Sequence, residues 1–125
     1  MCSSDLLNTA SPEEPKAVRA RVALAKELER STALGAGGFC FHPGSAGNGD
    51  PGEACDRVGD AVRHALETIG ETTVPTRVLI ENTAGAGRTM GRSAGEIARM
   101  LAEIGRASCR ERVSLTCRSR WSPYH

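Results

Sequence analysis

The sequence predicts an α/β fold of βα units on a parallel sheet, and three observations predict it. Two short apolar stretches, residues 38–42 and 77–81, read as buried strands. Three segments with helical periodicity precede, separate and follow them. Each strand stretch ends on a polar side chain and runs into a Gly-rich loop. Strands alternating with helices in this way mark βα units. Reactive residues at the C-terminal tips of successive strands are how a β/α barrel builds its active site.

Residues 1–6 (Met1-Cys2-Ser3-Ser4-Asp5-Leu6) show no periodicity, and Leu7-Asn8-Thr9-Ala10 reads as the end of an extended segment. Ser11-Pro12-Glu13-Glu14 predicts a helix start, with Ser11 as N-cap, Pro12 in the first position and Glu14 completing a capping box. Val18, Val22, Ala25 and Leu28 form its predicted apolar face, while Lys16, Arg19, Lys26, Glu27 and Arg30 fill a solvated one. Gly35 is the predicted left-handed terminator. The run Phe39-Cys40-Phe41 then predicts a parallel strand buried on both faces.

Asp50-Pro51-Gly52-Glu53 repeats the helix-start signal, and Ala54, Val58, Ala61, Val62, Ala65, Leu66 and Ile69 make the stripe that follows. Gly70 closes it. His64, next to charged Arg63, reads as an ordinary helix-surface histidine. Strand Arg77-Val78-Leu79-Ile80-Glu81 comes next, then the loop 82–92. Ser93 and Glu96 form a third capping box ahead of Ile97, Met100, Leu101 and Ile104. No period continues beyond residue 106.

The chain has 125 residues and a formal net charge of +1, enough for one domain or a piece of a larger one. No apolar run is long enough to span a bilayer and no N-terminal signal pattern is present, so a cytoplasmic protein without a membrane partner is expected. Residues 106–125 carry five Arg against one Glu, a balance that ordinarily suggests a nucleic-acid or membrane contact. Of the five cysteines, Cys2, Cys109 and Cys117 lie in the outer segments; Cys40 and Cys55 read as reduced core thiols.

The chemistry concentrates at His42 and Glu81. Taken alone, His42 is compatible with a buried, hydrogen-bonded histidine. Glu81, directly after Val-Leu-Ile, is costly to bury unless it is paired or bound to metal. An imidazole and a carboxylate on adjacent strand tips are ligand types for zinc or a similar divalent ion. Gly85-Ala86-Gly87 lacks the spacing of a phosphate-binding loop. Ser45 lacks the Gly-x-Ser-x-Gly elbow of a nucleophile.

Three stretches together resemble the bacterial endonuclease IV family, the zinc-dependent apurinic/apyrimidinic endonucleases. Leu6-Leu7-Asn8-Thr9-Ala10-Ser11-Pro12 is similar to the family's YLLNLAS segment. Phe41-His42-Pro43-Gly44-Ser45 matches its HPGS motif, and Ile80-Glu81-Asn82-Thr83-Ala84-Gly85 its IENTAG motif. The resemblance implies a partial TIM (β/α)8 barrel of two to three βα units. It implies that His42 binds one zinc ion and that Glu81, as catalytic bridging ligand, binds two of the three ions in the family's complete site. It further implies double-stranded DNA with abasic sites as partner, cut on the 5′ side of the lost base, and a monomer when full length. Ser45 and Asn82 would lie on DNA-facing loops.

The chain departs from the family at both ends. No histidine precedes Leu6-Leu7-Asn8, and no DTCH-type motif follows the third helix. Residues 1–6 and 103–125 instead resemble translated sequencing adaptor, although Ser114-Leu115-Thr116 does not fit that adaptor without a frame shift. The expectation is therefore a barrel fragment over residues 7–102 with adaptor-like ends, the second of them disordered. The basic tail and Trp121 then carry no functional weight, and the isolated chain is expected to lack activity because its zinc site is incomplete. The alternatives are a metal-dependent sugar isomerase or epimerase barrel fragment, and a non-catalytic barrel remnant.

Overall fold

In a computed structural model, residues 8–70, 76–81, 89–105 and 112–116 are described. Their elements alternate: α1 (Glu14–Ala33), β1 (Gly38–Phe41), α2 (Pro51–Ile69), β2 (Arg77–Glu81), α3 (Ala94–Ile104) and β3 (Val113–Thr116). The strands form one parallel sheet in the order β1-β2-β3. This is the predicted α/β arrangement of βα units.

Helix starts follow the predicted caps in two of three cases. The Asp50 carboxylate accepts from the Glu53 N–H at 2.9 Å, and the Ser93 hydroxyl accepts from the Glu96 N–H at 3.2 Å. The first case differs. Ser11 Oγ accepts from the Glu13 N–H at 3.2 Å, two residues on, so it caps a turn ahead of the helix. The helix itself begins at Glu14, with Glu13 as an N-cap that makes no side-chain bond. The predicted end at Gly35 holds. Its φ is +73°, and the N–H groups of Gly35 and Ala36 reach the carbonyls of Thr32 and Ser31, the pairing that satisfies a helix C-terminus.

The buried face of α1 is rotated from the predicted one. Ala20, Leu24, Ala25, Leu28 and Ser31 point inward, whereas Val18 and Val22 are 51% and 45% exposed. Leu24 takes the place predicted for Val22, and the small side chain of Ala20 sits one turn before it on the same face. On α2 the predicted stripe is buried as expected, with Ile69 partly buried and Cys55 and Gly59 added to it.

Strands β1 and β2 bury one face fully, while Cys40 and Leu79 on the other are half-buried. Phe39 and Phe41 are 1% and 0% exposed, and Val78 and Ile80 are both 1% exposed. These four meet Leu24, Leu28, Val58, Val62, Leu66, Met100 and Ile104 in one core. Cys40 and Leu79 alternate with them on the opposite face and are only half-buried. The prediction of burial on both faces of β1 is thus corrected, since Cys40 on the second face is only half-buried.

Of residues 103–125, the structure describes 103–105 and 112–116. Ile104 is fully buried in α3, and Val113–Thr116 extends the sheet in register with Val78–Glu81. An unpaired edge of β2 offers a row of N–H and C=O groups, and Val78 N–H bonds to the Arg112 carbonyl at 2.8 Å. The guanidinium of Arg112 donates to the Gly70 carbonyl at 2.9 Å and holds the start of β3 to the end of α2. Cys109, Cys117 and Trp121 lie outside the described residues, as does Cys2.

Helices α2 and α3 approach closely at Gly59. A Cβ there would press on the Met100 carbonyl and the Glu103 side chain. Gly59→Ala is therefore expected to destabilise the fold by about 1–3 kcal/mol, the usual cost of overpacking. The check is a denaturant midpoint; an unchanged midpoint would mean the two helices separate freely. Beside this contact, Arg99 grips Asp56 with two bonds of 2.9 and 3.0 Å. That hydrogen bonding holds the Asp56 carboxyl below its usual range. Its small stabilisation is present above the unfolded-state value and is lost as pH falls through the depressed one.

Candidate metal centre

The register of the sheet builds the site. Phe41 pairs with Ile80, so the next residue on each strand, His42 and Glu81, stands at the same level on the same face. His42 Nε2 lies 3.1 Å from Glu81 Oε2. Glu81 is 8% exposed, and its neighbour across β3 is Thr116. The His42 side chain is 36% exposed and forms the open side of the pair. Both residues sit at C-terminal strand tips, as predicted.

A carboxylate this buried is costly unless it is hydrogen-bonded, paired or bound to metal. The imidazole of His42 is one partner, and the same two side chains suit a divalent ion such as zinc. The pair therefore fits part of a metal site. Among the described residues, no three His, Cys, Asp or Glu side chains converge on one such position. Cys40 Sγ also reaches Glu81 Oε2, at 3.7 Å. Cys40 was expected in the apolar core; it instead lies two residues before His42 on the half-buried face. Cys55 is the buried thiol, and desolvation, with help from the nearby Glu96 carboxylate, pushes its pKa up.

Ser45 is half-buried, and its hydroxyl accepts from the Gly47 N–H at 3.2 Å. That bond belongs to a local turn. Asn82 and the Gly85-Ala86-Gly87 stretch lie outside the described residues. His64 is half-buried on α2, with Nδ1 3.2 Å from the Arg21 guanidinium, away from the strand tips. The sequence reading missed the contacts around Asn8 and Thr9. Thr9 Oγ1 donates to the Pro43 carbonyl at 2.8 Å, and Asn8 Oδ1 accepts from the Ser45 N–H at 3.0 Å. The signal available was their place at the end of a stretch read as extended.

Comparison with known proteins agrees with this geometry. A family model described as "Xylose isomerase-like TIM barrel" matches residues 1–110. The chain is 35% identical over 99 residues to the probable endonuclease 4 of Chlorobium luteolum, covering 78% of this chain and 34% of the relative. It is 38% identical over 99 residues to the probable endonuclease 4 of Thermoplasma acidophilum, covering 79% and 32%. The crystal structure of endonuclease IV from Thermus thermophilus superposes with a TM-score of 0.67 at 30% identity, over 92% of this chain and 38% of that one. The chain thus spans about a third of the length of the relatives it matches. Its alternating βα order, all-parallel sheet and matched residues establish that it belongs to the xylose isomerase-like TIM barrel family.

Proposed function

We propose that this chain carries part of the metal site of an endonuclease that hydrolyses DNA phosphodiesters 5′ to abasic sites. The observation that carries the reading is the 3.1 Å approach of His42 and Glu81 at adjacent parallel strand tips. The matched relatives and the solved structure bear endonuclease names, which favours a nuclease over the isomerase alternative.

His42 Nε2 and the Glu81 carboxylate would hold zinc, with Glu81 as the ligand able to serve more than one ion through its two oxygens. Zinc, when bound, lowers the pKa of water and stabilises charge on a phosphate. Within the protein, the buried surroundings of Glu81 keep water from competing for its oxygens. The half-exposed His42 faces the loops of the mouth, where Ser45 and Asn82 are proposed to meet an abasic duplex. Residues 7–102 are proposed as the barrel part of the chain, and the full-length protein as a monomer.

Two ligands make an incomplete catalytic site. The isolated chain with added zinc is expected to leave an abasic duplex intact. The deciding assay replaces the matching segment of the Thermus thermophilus enzyme with residues 8–105 of this chain. Chelator-sensitive nicking of abasic DNA by the hybrid, abolished by Glu81→Ala, supports the proposal. A folded, zinc-loaded hybrid that leaves the DNA intact contradicts it.

A further inference from the structure

We infer that Asn8 is a positioning residue for His42. The inference rests on the metal-site reading above, but its geometry is independent of any bound ion. Asn8 Oδ1 accepts two backbone N–H groups, from Ser45 at 3.0 Å and from Ala10 at 3.2 Å. The first bond crosses from the N-terminal segment to the loop that follows β1. The neighbouring Thr9, 1% exposed, adds a second crossing bond, from Oγ1 to the Pro43 carbonyl at 2.8 Å. His42 is the residue just before these anchored positions.

The segment that reaches across is itself held. The Arg57 guanidinium on α2 donates to the Ala10 carbonyl from Nη2 at 2.9 Å and from Nε at 3.3 Å. A continuous set of hydrogen bonds therefore runs from α2 through Ala10 and Asn8 to Ser45. Gly44 explains why the approach can be so close. Its φ of +100° disfavours other residues, and a Cβ there would collide with Asn8 Oδ1. On its other side the loop is tied to the segment after β2. Met90 N–H donates to the Gly44 carbonyl at 2.7 Å, and Ser45 forms an antiparallel bridge with Thr89.

The loop is thus clamped between two segments, one led by Asn8 and one by residues 89–90. Removing Asn8 loosens one side only, and the Thr9–Pro43 bond on that side remains. The fold stays, and the freedom gained appears at His42 and Ser45. Groups bonded directly to a metal ligand are worth about 10–100-fold in affinity; Asn8 acts one step further out, through Ser45, so its loss is expected to cost about tenfold at most. Asn8 uses only its oxygen in these bonds, so an aspartate keeps the acceptor and an alanine does not.

The experiment uses the 125-residue chain, first without metal. Amide exchange at Ser45 is measured in the unaltered protein, where strong protection is expected; exchange at the rate of an open loop overturns the inference. NMR spectra of Asn8→Ala are expected to show displaced or broadened His42 ring and Ser45 amide signals, with His64 unchanged. Asn8→Asp is expected to restore them. Zinc titrations follow, with affinity weakened by up to about tenfold in Asn8→Ala and recovered in Asn8→Asp at equal thermal midpoints. Unmoved His42 signals in Asn8→Ala, or no recovery in Asn8→Asp, overturn the positioning role. Zinc binding that ignores His42→Ala overturns the metal reading instead, and the metal-free spectra still decide Asn8.

Discussion

Glu81→Ala and His42→Ala are each expected to lower zinc affinity of the chain at least about tenfold, to the level of adventitious binding. Loss of a mere outer-shell partner costs about 10–100-fold, and loss of a ligand costs no less. The effect follows from the site's economy. Among the described residues, one imidazole and one carboxylate make the pair, and no group of three His, Cys, Asp or Glu side chains is placed to hold a metal ion. Removing either leaves a single donor. Glu81→Ala also removes the acceptor of Cys40 Sγ and His42 Nε2, whereas Glu81→Gln keeps the shape and loses the charge. Both Glu81 substitutions are therefore expected to weaken zinc. Isothermal titration with the folded variants checks this, and a wild-type affinity in Glu81→Ala would place the bound metal elsewhere.

The second large effect is on stability. Phe41→Ala is expected to cost about 3–5 kcal/mol, the range for deleting a buried aromatic ring. Phe41 is 0% exposed, its ring lies 6.4 Å from that of Phe39, and it occupies the last position of β1. Domains of this size hold only about 5–15 kcal/mol in total. Much of the margin would go, and the loss would fall directly under His42. Circular dichroism with denaturant checks it. A midpoint close to wild type would mean that the core between β1 and the helices contributes far less than its burial implies.

These two residues also show why the strand tips were legible in the sequence. Phe41-His42 and Ile80-Glu81 each place a polar group directly after an apolar run, and strand registers align such groups. Helix caps at Asp50 and Ser93 were legible for the same reason, because the capping bond is local. What escaped depends on contacts distant in sequence. The choice between Val22 and Leu24 as the inward residue of α1 is set by how that helix rotates against α2. The strand Val113–Thr116 exists because β2 has an edge to pair with, a fact absent from its own four residues. Cys40 looked like core because Phe39 and Phe41 flank it, yet alternation places it on the Glu81 side. Asn8 and Thr9 reach partners more than thirty residues away.

We propose that the register of β1 and β2 makes His42 and Glu81 joint ligands of one divalent ion. Zinc K-edge absorption of the zinc-loaded chain tests it most directly. The expected spectrum contains only nitrogen and oxygen neighbours at about 2.0–2.2 Å, with an imidazole signature that disappears in His42→Ala. A sulfur shell at about 2.3 Å, or an imidazole signature that survives in His42→Ala, would contradict the claim by showing that zinc is held by other residues.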